Sequence, residues 1–180
     1  MAEWVIDTNV LIVATMAQQG RPPAGCDDVP VASAQDQEAV FTWLETVNRD
    51  PNIHVIIDFP HRLIEGEYSN KIQKHEYGRM VIANKISRGQ CRFVEVEKDD
   101  GGYGLILHDC AEEVFDREDR KMVAAALEAG VPIVNACDTD WVELLERGTL
   151  GRLDIKVHQL LEAWCRKEWE RKRAKQSGLP

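Results

Sequence analysis

Five acidic side chains stand where carboxylates from distant parts of the chain can share one metal ion. They are Asp7, one of Glu65 and Glu67, Asp119, Asp138 and Asp140. Carboxylates gathered in one place repel one another and favour a cation. Mg²⁺ and Mn²⁺ are hard cations that take oxygen ligands, and a metal so held can activate water and neutralise charge on a phosphate. The set therefore predicts metal-assisted hydrolysis of a phosphodiester.

The elements that must position these side chains follow from an alternation of Val/Ile-rich runs and longer helical patterns. The runs predict strands at 4–6, 54–57, 91–96, 131–135 and 153–157, and the patterns predict helices at 34–48, 63–72, 118–129 and 160–169. Residues 19–30 are rich in Gly and Pro and predict a loop, and residues 98–104 predict a turn that joins a hairpin. This order is typical of an α/β fold with a mainly parallel central sheet.

Ligands of an open parallel sheet bind beyond the carboxyl ends of its strands. Asp7 directly follows the first predicted strand, and Asp138 and Asp140 follow the fourth, so they converge if these strands are neighbours. A right-handed crossover helix starts at the same edge, which places Asp119 beside Asp7. The helix after the second strand adds a glutamate in the same way.

These motifs resemble the PIN domain. The matching segments are Val5-Ile6-Asp7-Thr8-Asn9, a mid-chain helical Glu, Asp119 seven residues before Ala126-Leu127, and Asp138-Thr139-Asp140-Trp141. The resemblance implies a three-layer Rossmann-like fold, an acidic site that uses Mg²⁺ or Mn²⁺, and single-stranded RNA as substrate, with DNA not excluded. It also implies a toxin of a toxin–antitoxin pair or a defence nuclease, with an antitoxin or inhibitor protein as partner and a homodimer as the assembly.

Matched position by position, the resemblance makes Asp7, Asp119 and Asp138 the three family aspartates, with Asp140 as an additional one. Thr8 and Asn9 match the polar residues that support the first aspartate. For the glutamate, Glu67 is favoured over Glu65, which lies two residues earlier and faces elsewhere on the helix. Lys121, next to Asp119 together with Arg120, either contacts a substrate phosphate or lies on an exposed helical face.

Each of these residues also has a structural explanation. An Asp-Thr-Asn sequence can cap the next helix, Asp119 can stabilise a helix N-terminus, and Glu67 can pair with Lys71 at i,i+4. A catalytically inactive PIN-like module that binds RNA or a protein is the alternative function. A phosphatase of the haloacid-dehalogenase type also begins with a strand-end Asp, but it requires a second Asp where this chain has Asn9.

Net charge and composition bound the remaining expectations. The formal charge is −9, yet residues 152–175 carry a local balance of +4, so phosphate binding depends on where the charges lie. The five cysteines form no Cys-x-x-Cys pair and indicate reduced thiols, and with no basic leader and no long apolar run we expect a cytoplasmic protein away from membranes.

The chain organisation follows from the same patterns. Residues 1–157 form the predicted PIN domain, with inserted segments near 19–34 and 98–110 that depart from a minimal toxin. Residues 158–180 form a basic amphipathic helix. Its apolar stripe consists of Leu160, Leu161, Trp164, Cys165 and Trp169. This stripe either packs on the domain or docks a second subunit or an inhibitor.

Overall fold

A parallel sheet forms the centre of the computed structural model, which describes residues 1–26 and 33–176. Within these residues five strands pair in the order β3-β2-β1-β4-β5, and every pairing is parallel. The strands are β1 (Ala2–Ile6), β2 (Ile53–Pro60), β3 (Cys91–Val96), β4 (Ile133–Asn135) and β5 (Val157–Gln159). The α/β class predicted from the sequence is confirmed.

Helices cover the sheet and give a three-layer, Rossmann-like arrangement. They are α1 (Thr8–Gln19), α2 (Ala34–Arg49), α3 (Leu63–Lys71), α4 (Tyr77–Ser87), α5 (Arg120–Ala129), α6 (Asp140–Glu146), α7 (Thr149–Arg152) and α8 (Glu162–Gln176), with a 3₁₀ turn at Ala111–Glu113. Helix α5 packs against β1, β2 and β3, and α1 packs against α2 and α4. No helix of the described residues has both the length and the apolar composition needed to cross a bilayer.

The order of β1 and β4 brings the two strand-end aspartate segments together. Ile6 is in register with Val134, and the Asp7 N–H donates to the Val134 carbonyl at 2.9 Å. Both strands are fully buried at this end, as expected for strands covered on both faces. The condition on which the sequence argument depended, that these strands are neighbours, is therefore confirmed.

Helix α3 is fixed to the same edge by two contacts. The buried Asp58 carboxylate accepts hydrogen bonds from the N–H groups of Leu63 at 2.6 Å and Ile64 at 2.8 Å, which satisfies free donors at the helix start. The Tyr68 hydroxyl donates to the Ile6 carbonyl at the end of β1. These contacts fix the orientation from which α3 presents its glutamates.

Several predicted boundaries are wrong for identifiable reasons. The strand predicted at 153–157 begins only at Val157, because α7 ends in a turn in which Asp154 has a φ of 54°. Leu153 and Ile155 are buried in that turn instead. The strand predicted from position 131 begins at Ile133, and the predicted hairpin at 98–104 is reduced to one antiparallel bridge, Lys98 to Gly104.

Helix α1 has no counterpart among the predictions, because its sequence is apolar on nearly every side. Residues Val10 to Met16 are all buried, so a 3.6-residue period has no polar face to reveal it. The helix ends at Gly20, whose φ of 70° suits glycine. The predicted loop at 19–30 follows from this point, and its positions 27–30 lie outside the described residues. No disulfide joins the described cysteines, as expected.

Candidate active site

Three aspartates from three separate elements meet at the carboxyl edge of the sheet. Asp7 follows β1, Asp138 follows β4, and Asp119 stands at the start of α5. Their carboxylate oxygens lie within 4.8 Å of one another. The crossover argument placed these three side chains together, and the structure brings them together.

Asp7 is held by donors on both carboxylate oxygens. Oδ1 accepts from the Asn9 N–H at 3.1 Å, which also caps α1, and Oδ2 accepts from the indole Nε1 of Trp141 at 2.6 Å. Asp7 is 6% exposed and Trp141 is fully buried. Asp7 therefore serves both as the helix cap considered from the sequence and as a member of the acidic cluster.

The loop that carries Asp138 is clamped from two sides by asparagines. Asn9 Oδ1 accepts from the N–H groups of Ala136 at 2.8 Å and Cys137 at 3.2 Å. The Asn135 side chain accepts from the Asp138 N–H at 3.1 Å and donates to the Asp138 carbonyl at 2.8 Å. Asn9 thus supports the third aspartate through its side chain, in addition to the first through its backbone.

Asp119 and Thr8 contribute buried oxygen atoms without partners. Within residues 1–26 and 33–176, Asp119 Oδ2 and Thr8 Oγ1 find no hydrogen-bond partner. Asp119 stands at the N-cap position of α5, yet its side chain makes no capping hydrogen bond to the described backbone. Helix capping is therefore not the role of this carboxylate, and both oxygen atoms are available to a ligand in the cleft.

Burial and nearby carboxylates raise the pKa values of the three aspartates. Burial, followed by the charges of Asp138 and Glu67, raises the pKa of Asp7 to about 8. Burial, followed by Asp7 and Asp138, raises the pKa of Asp119 to about 10. Burial raises the pKa of Asp138 to about 6, although the Asp140 N–H and Lys172 both act to lower it. The cluster lacks enough positive charge to ionise fully at neutral pH.

Glu67 and Glu65 face different surroundings on α3. Glu67 lines the cleft and its Oε2 lies 2.8 Å from Lys121 Nζ, whereas Glu65 does not line the cleft and pairs with Arg62, which does. Glu67 is not among the carboxylates that meet within 4.8 Å. Glu67 therefore pairs with Lys121 of α5 and not with Lys71, the i,i+4 partner considered from the sequence.

Lys121 and Arg120 are both buried, so the exposed helical face considered from the sequence is wrong for them. Lys121 is 5% exposed and lines the cleft, where it also donates to Glu118 Oε2 at 3.0 Å. Burial acts to lower the pKa of Lys121, but Glu67 and Glu118 outweigh it and the pKa is raised. Arg120 points elsewhere, to the Val114 carbonyl at 3.2 Å and Glu112 at 3.1 Å.

Asp140 belongs to a second acidic group that shares Asp119. Its carboxylate oxygen lies within 4.8 Å of those of Asp116 and Asp119. Burial raises the pKa of Asp140, Lys172 lowers it, and Asp116 raises it further. The sequence analysis did not single out Asp116, although it lies three residues before Asp119.

A cleft of about 1070 Å³ opens over the aspartates, and five Lys and Arg side chains line it together with six carboxylates. Among the described residues, the Lys and Arg side chains that line it are Arg62, Lys71, Arg117, Lys121 and Lys172. Lys172 comes from α8 and donates to Thr139 Oγ1 at 2.7 Å, next to Asp138. A chain with a net charge of −9 thus presents an acidic floor beneath a rim of cations.

Helix α8 and the residues just before it pack on the domain through the predicted apolar stripe. The helix predicted from position 158 begins only at Glu162, because Val157–Gln159 pair with β4 as the last strand of the sheet, so the predicted domain boundary at 157 is wrong. Leu161 and Cys165 are buried, and the Trp169 indole donates to Glu143 Oε2 of α6 at 2.6 Å. Lys172 was missed, yet it lies seven residues after buried Cys165 and so on the same face of a helix. Trp141 was quoted in the motif without a role, since nothing in the sequence shows where an indole N–H points.

Together, the fold and the site define an α/β protein with a carboxylate cluster at the floor of a basic cleft. No protein-family model matches the chain, and no curated protein or solved structure matches it.

Proposed function

We propose that this protein is a metal-dependent endoribonuclease that hydrolyses phosphodiester bonds of single-stranded RNA, as its resemblance to PIN domains implies. The observation that carries the proposal is the meeting of Asp7, Asp119 and Asp138, with carboxylate oxygens within 4.8 Å. These side chains offer only hard oxygen donors, and one of them, Asp119 Oδ2, is buried without a partner among the described residues. Such a donor set fits Mg²⁺ or Mn²⁺.

Asp7, Asp119 and Asp138 would hold the metal, with Asp140 assisting. When bound, the metal supplies a water of lowered pKa and neutralises charge on the phosphate. The chain's own residues orient this site: Trp141 and Asn9 fix Asp7 through its two carboxylate oxygens. The site is therefore preorganised by buried donors instead of by mobile surface groups.

Cations in the cleft wall support a polyanionic substrate. A polyanionic backbone binds through Lys and Arg side chains, and the cleft presents such side chains around the aspartates. Lys172 and Lys121 lie on different elements, α8 and α5, so they can bind phosphates on either side of the scissile one. Both cations already have neutral or acidic partners, Thr139 and Glu67, which keep them extended into the cleft.

A catalytically inactive PIN-like module that binds RNA or a protein is the second candidate. One observation favours it: Glu67, the fourth carboxylate of the predicted set, is neutralised by Lys121 at 2.8 Å. Roles as a toxin or a defence nuclease, an antitoxin partner, a homodimer and a cytoplasmic location remain predictions from the resemblance and the composition.

The deciding experiment is cleavage of a fluorescent single-stranded RNA with Mn²⁺. We expect Asp7→Asn to reduce the rate at least about 100-fold, the order lost when a main electrostatic group is removed from an active site, and EDTA to abolish cleavage by the intact chain. Glu67→Gln and Glu65→Gln form a matched pair on one helix. The first should be impaired and the second should stay within about twofold, because Glu67 lines the cleft and Glu65 does not.

Two results would separate the candidates. Cleavage unchanged by Asp7→Asn would refute the nuclease, whereas calorimetry that detects no Mn²⁺ binding by the intact chain would favour the inactive module. A parallel arm with single-stranded DNA of the same sequence tests whether the sugar is discriminated.

A further inference from the structure

The segment between β3 and α5 reaches into the cleft and carries an aromatic ring there. Tyr103 lines the cleft and is partly exposed. The turn that carries it is ordered by one carboxylate, because Asp99 Oδ1 accepts from the N–H groups of Gly101 and Tyr103, each at 2.9 Å. The Asp99 N–H also donates to the Tyr103 carbonyl at 2.8 Å. The ring is thus presented by a closed turn.

This turn is seated directly on the first turn of α5. A Cβ atom added at Gly104 would lie 2.5 Å from Lys121 Cα and 2.7 Å from its backbone nitrogen, so only glycine allows so close an approach. Lys121 is two residues from Asp119 and pairs with Glu67. The position of Tyr103 is therefore fixed relative to the acidic floor.

A guanidinium group stacks with the ring. Arg117 Cζ lies 5.1 Å from the centroid of the Tyr103 ring, and Arg117 lines the cleft as well. Two planar groups, one aromatic and one cationic, thus stand together in the cleft wall. Aromatic rings and Arg planes are the surfaces on which proteins stack the bases of single-stranded nucleic acids.

We propose that Tyr103 and Arg117 form a stacking platform for an unpaired nucleobase adjacent to the phosphate that lies over the aspartates. This inference rests on the proposed function and deepens it, since it explains how the site selects single strands. A base within a duplex has its faces covered by neighbouring bases and cannot stack here without being unpaired. Every base has a π face, so the platform tolerates any base.

The test measures binding of a fluorescent RNA of about ten nucleotides by anisotropy, in EDTA and at about 50 mM salt. EDTA prevents metal-dependent cleavage during the measurement. We expect Tyr103→Ala to weaken binding about 5- to 150-fold, the range for loss of one stacked base. Tyr103→Phe keeps the ring and should stay within about twofold.

Phe115 provides the matched control. Arg147 lies 5.3 Å from its ring centroid, the ring is 44% exposed, and it does not line the cleft. Phe115→Ala should leave binding unchanged. Stacking releases no counterions, so Tyr103→Ala should leave the slope of log affinity against log salt unchanged, while Lys172→Gln should reduce that slope by about 0.7 on a single strand.

A scan with single abasic positions tests the platform without altering the protein. The intact chain should lose affinity at one position, and Tyr103→Ala should be insensitive there. Unchanged binding by Tyr103→Ala, or an abasic scan with no sensitive position, would overturn the platform and leave the nuclease proposal standing. Failure of the intact chain to bind any single strand in EDTA would also overturn the platform, whereas the nuclease proposal fails separately if Mn²⁺-dependent cleavage is unchanged by Asp7→Asn, so the two failures are distinguishable.

Discussion

Replacing Asp119 with Asn should stabilise the metal-free protein, although it removes a residue of the proposed site. The carboxylate is buried, and Oδ2 has no hydrogen-bond partner among the described residues. Burial, and then the charges of Asp7 and Asp138, raises the pKa of Asp119 to about 10. An amide has no charge to bury, and it can donate a hydrogen bond to a neighbouring carboxylate.

The magnitude follows from the proton that the folded chain must hold. The ordinary pKa of Asp is 3.8, so at about pH 7 the unfolded chain has released this proton while the folded chain keeps it. Each pKa unit corresponds to about 1.4 kcal/mol, which gives an upper cost of about 4 kcal/mol at neutral pH. Because the three aspartates share their repulsion, we expect Asp119→Asn to raise the free energy of unfolding by about 2 to 4 kcal/mol.

The same shift fixes the direction of the pH dependence. A carboxyl group with a raised pKa makes the folded state bind more protons than the unfolded state, so stability falls as pH rises. For the metal-free protein this loss begins near the ordinary value of 3.8 and continues through the values of about 8 for Asp7 and about 10 for Asp119. Asp119→Asn should flatten this fall.

Urea unfolding in EDTA at about pH 5, 7 and 8.5 measures these differences. Asp109→Asn, at an exposed position outside the cleft, should match the wild type at every pH. Mn²⁺ at about 100 times its dissociation constant should add about 2.7 kcal/mol to the wild type and little to Asp119→Asn. A variant Asp119→Asn that is less stable than the wild type at about pH 8.5 in EDTA would refute this explanation.

Two further predictions concern the groups that surround the aspartates. Trp141→Phe removes the indole N–H that lowers the pKa of Asp7. We expect a ¹³C NMR titration of the Asp7 carboxyl group to show a higher pKa, and the free energy of unfolding to fall by about 1 to 3 kcal/mol. An unchanged titration would contradict the role of this hydrogen bond. Gly104→Ala places a methyl group 2.5 Å from Lys121 Cα, so we expect it to destabilise the folded protein by about 1 to 3 kcal/mol in thermal unfolding. Gly66 lies in α3 with open space around an added carbon, so Gly66→Ala should stabilise the folded protein by about 0.5 to 1 kcal/mol in the same measurement.

The sequence predicted those site residues whose positions depend on the order of the strands in the sheet. A run of buried Val and Ile ends at Asp7 and another ends shortly before Asp138, so the pairing of β1 with β4 brings both carboxylates to one edge. The crossover rule added Asp119, because a helix that returns along a parallel sheet begins at that edge. These inferences need only backbone topology, which hydrophobic patterning specifies.

The sequence was uninformative where side chains from distant elements meet. The hydrogen bonds from Ala136 and Cys137 to Asn9 depend on the conformation of a loop, and the direction of the Trp141 indole depends on how α6 packs. Lys172 reaches the cleft only because α8 docks against α6. No local pattern encodes such distances, although a helical wheel anchored on Cys165 would have placed Lys172 on the inward face.

The location of charge also accounts for how so acidic a chain could accept an anionic polymer. The net charge of −9 counts the aspartates of the cleft floor as ionised, although their raised pKa values leave some of them protonated at neutral pH. A bound cation would reverse the local field. The rim is contributed by separate elements, with Arg62 before α3, Lys121 in α5 and Lys172 in α8. Lys121 and Lys172 lie beside Glu67 and Thr139, so both side chains are oriented in the cleft before substrate arrives. An RNA backbone would therefore meet a preformed positive border, and net charge is a poor guide to what this cleft binds.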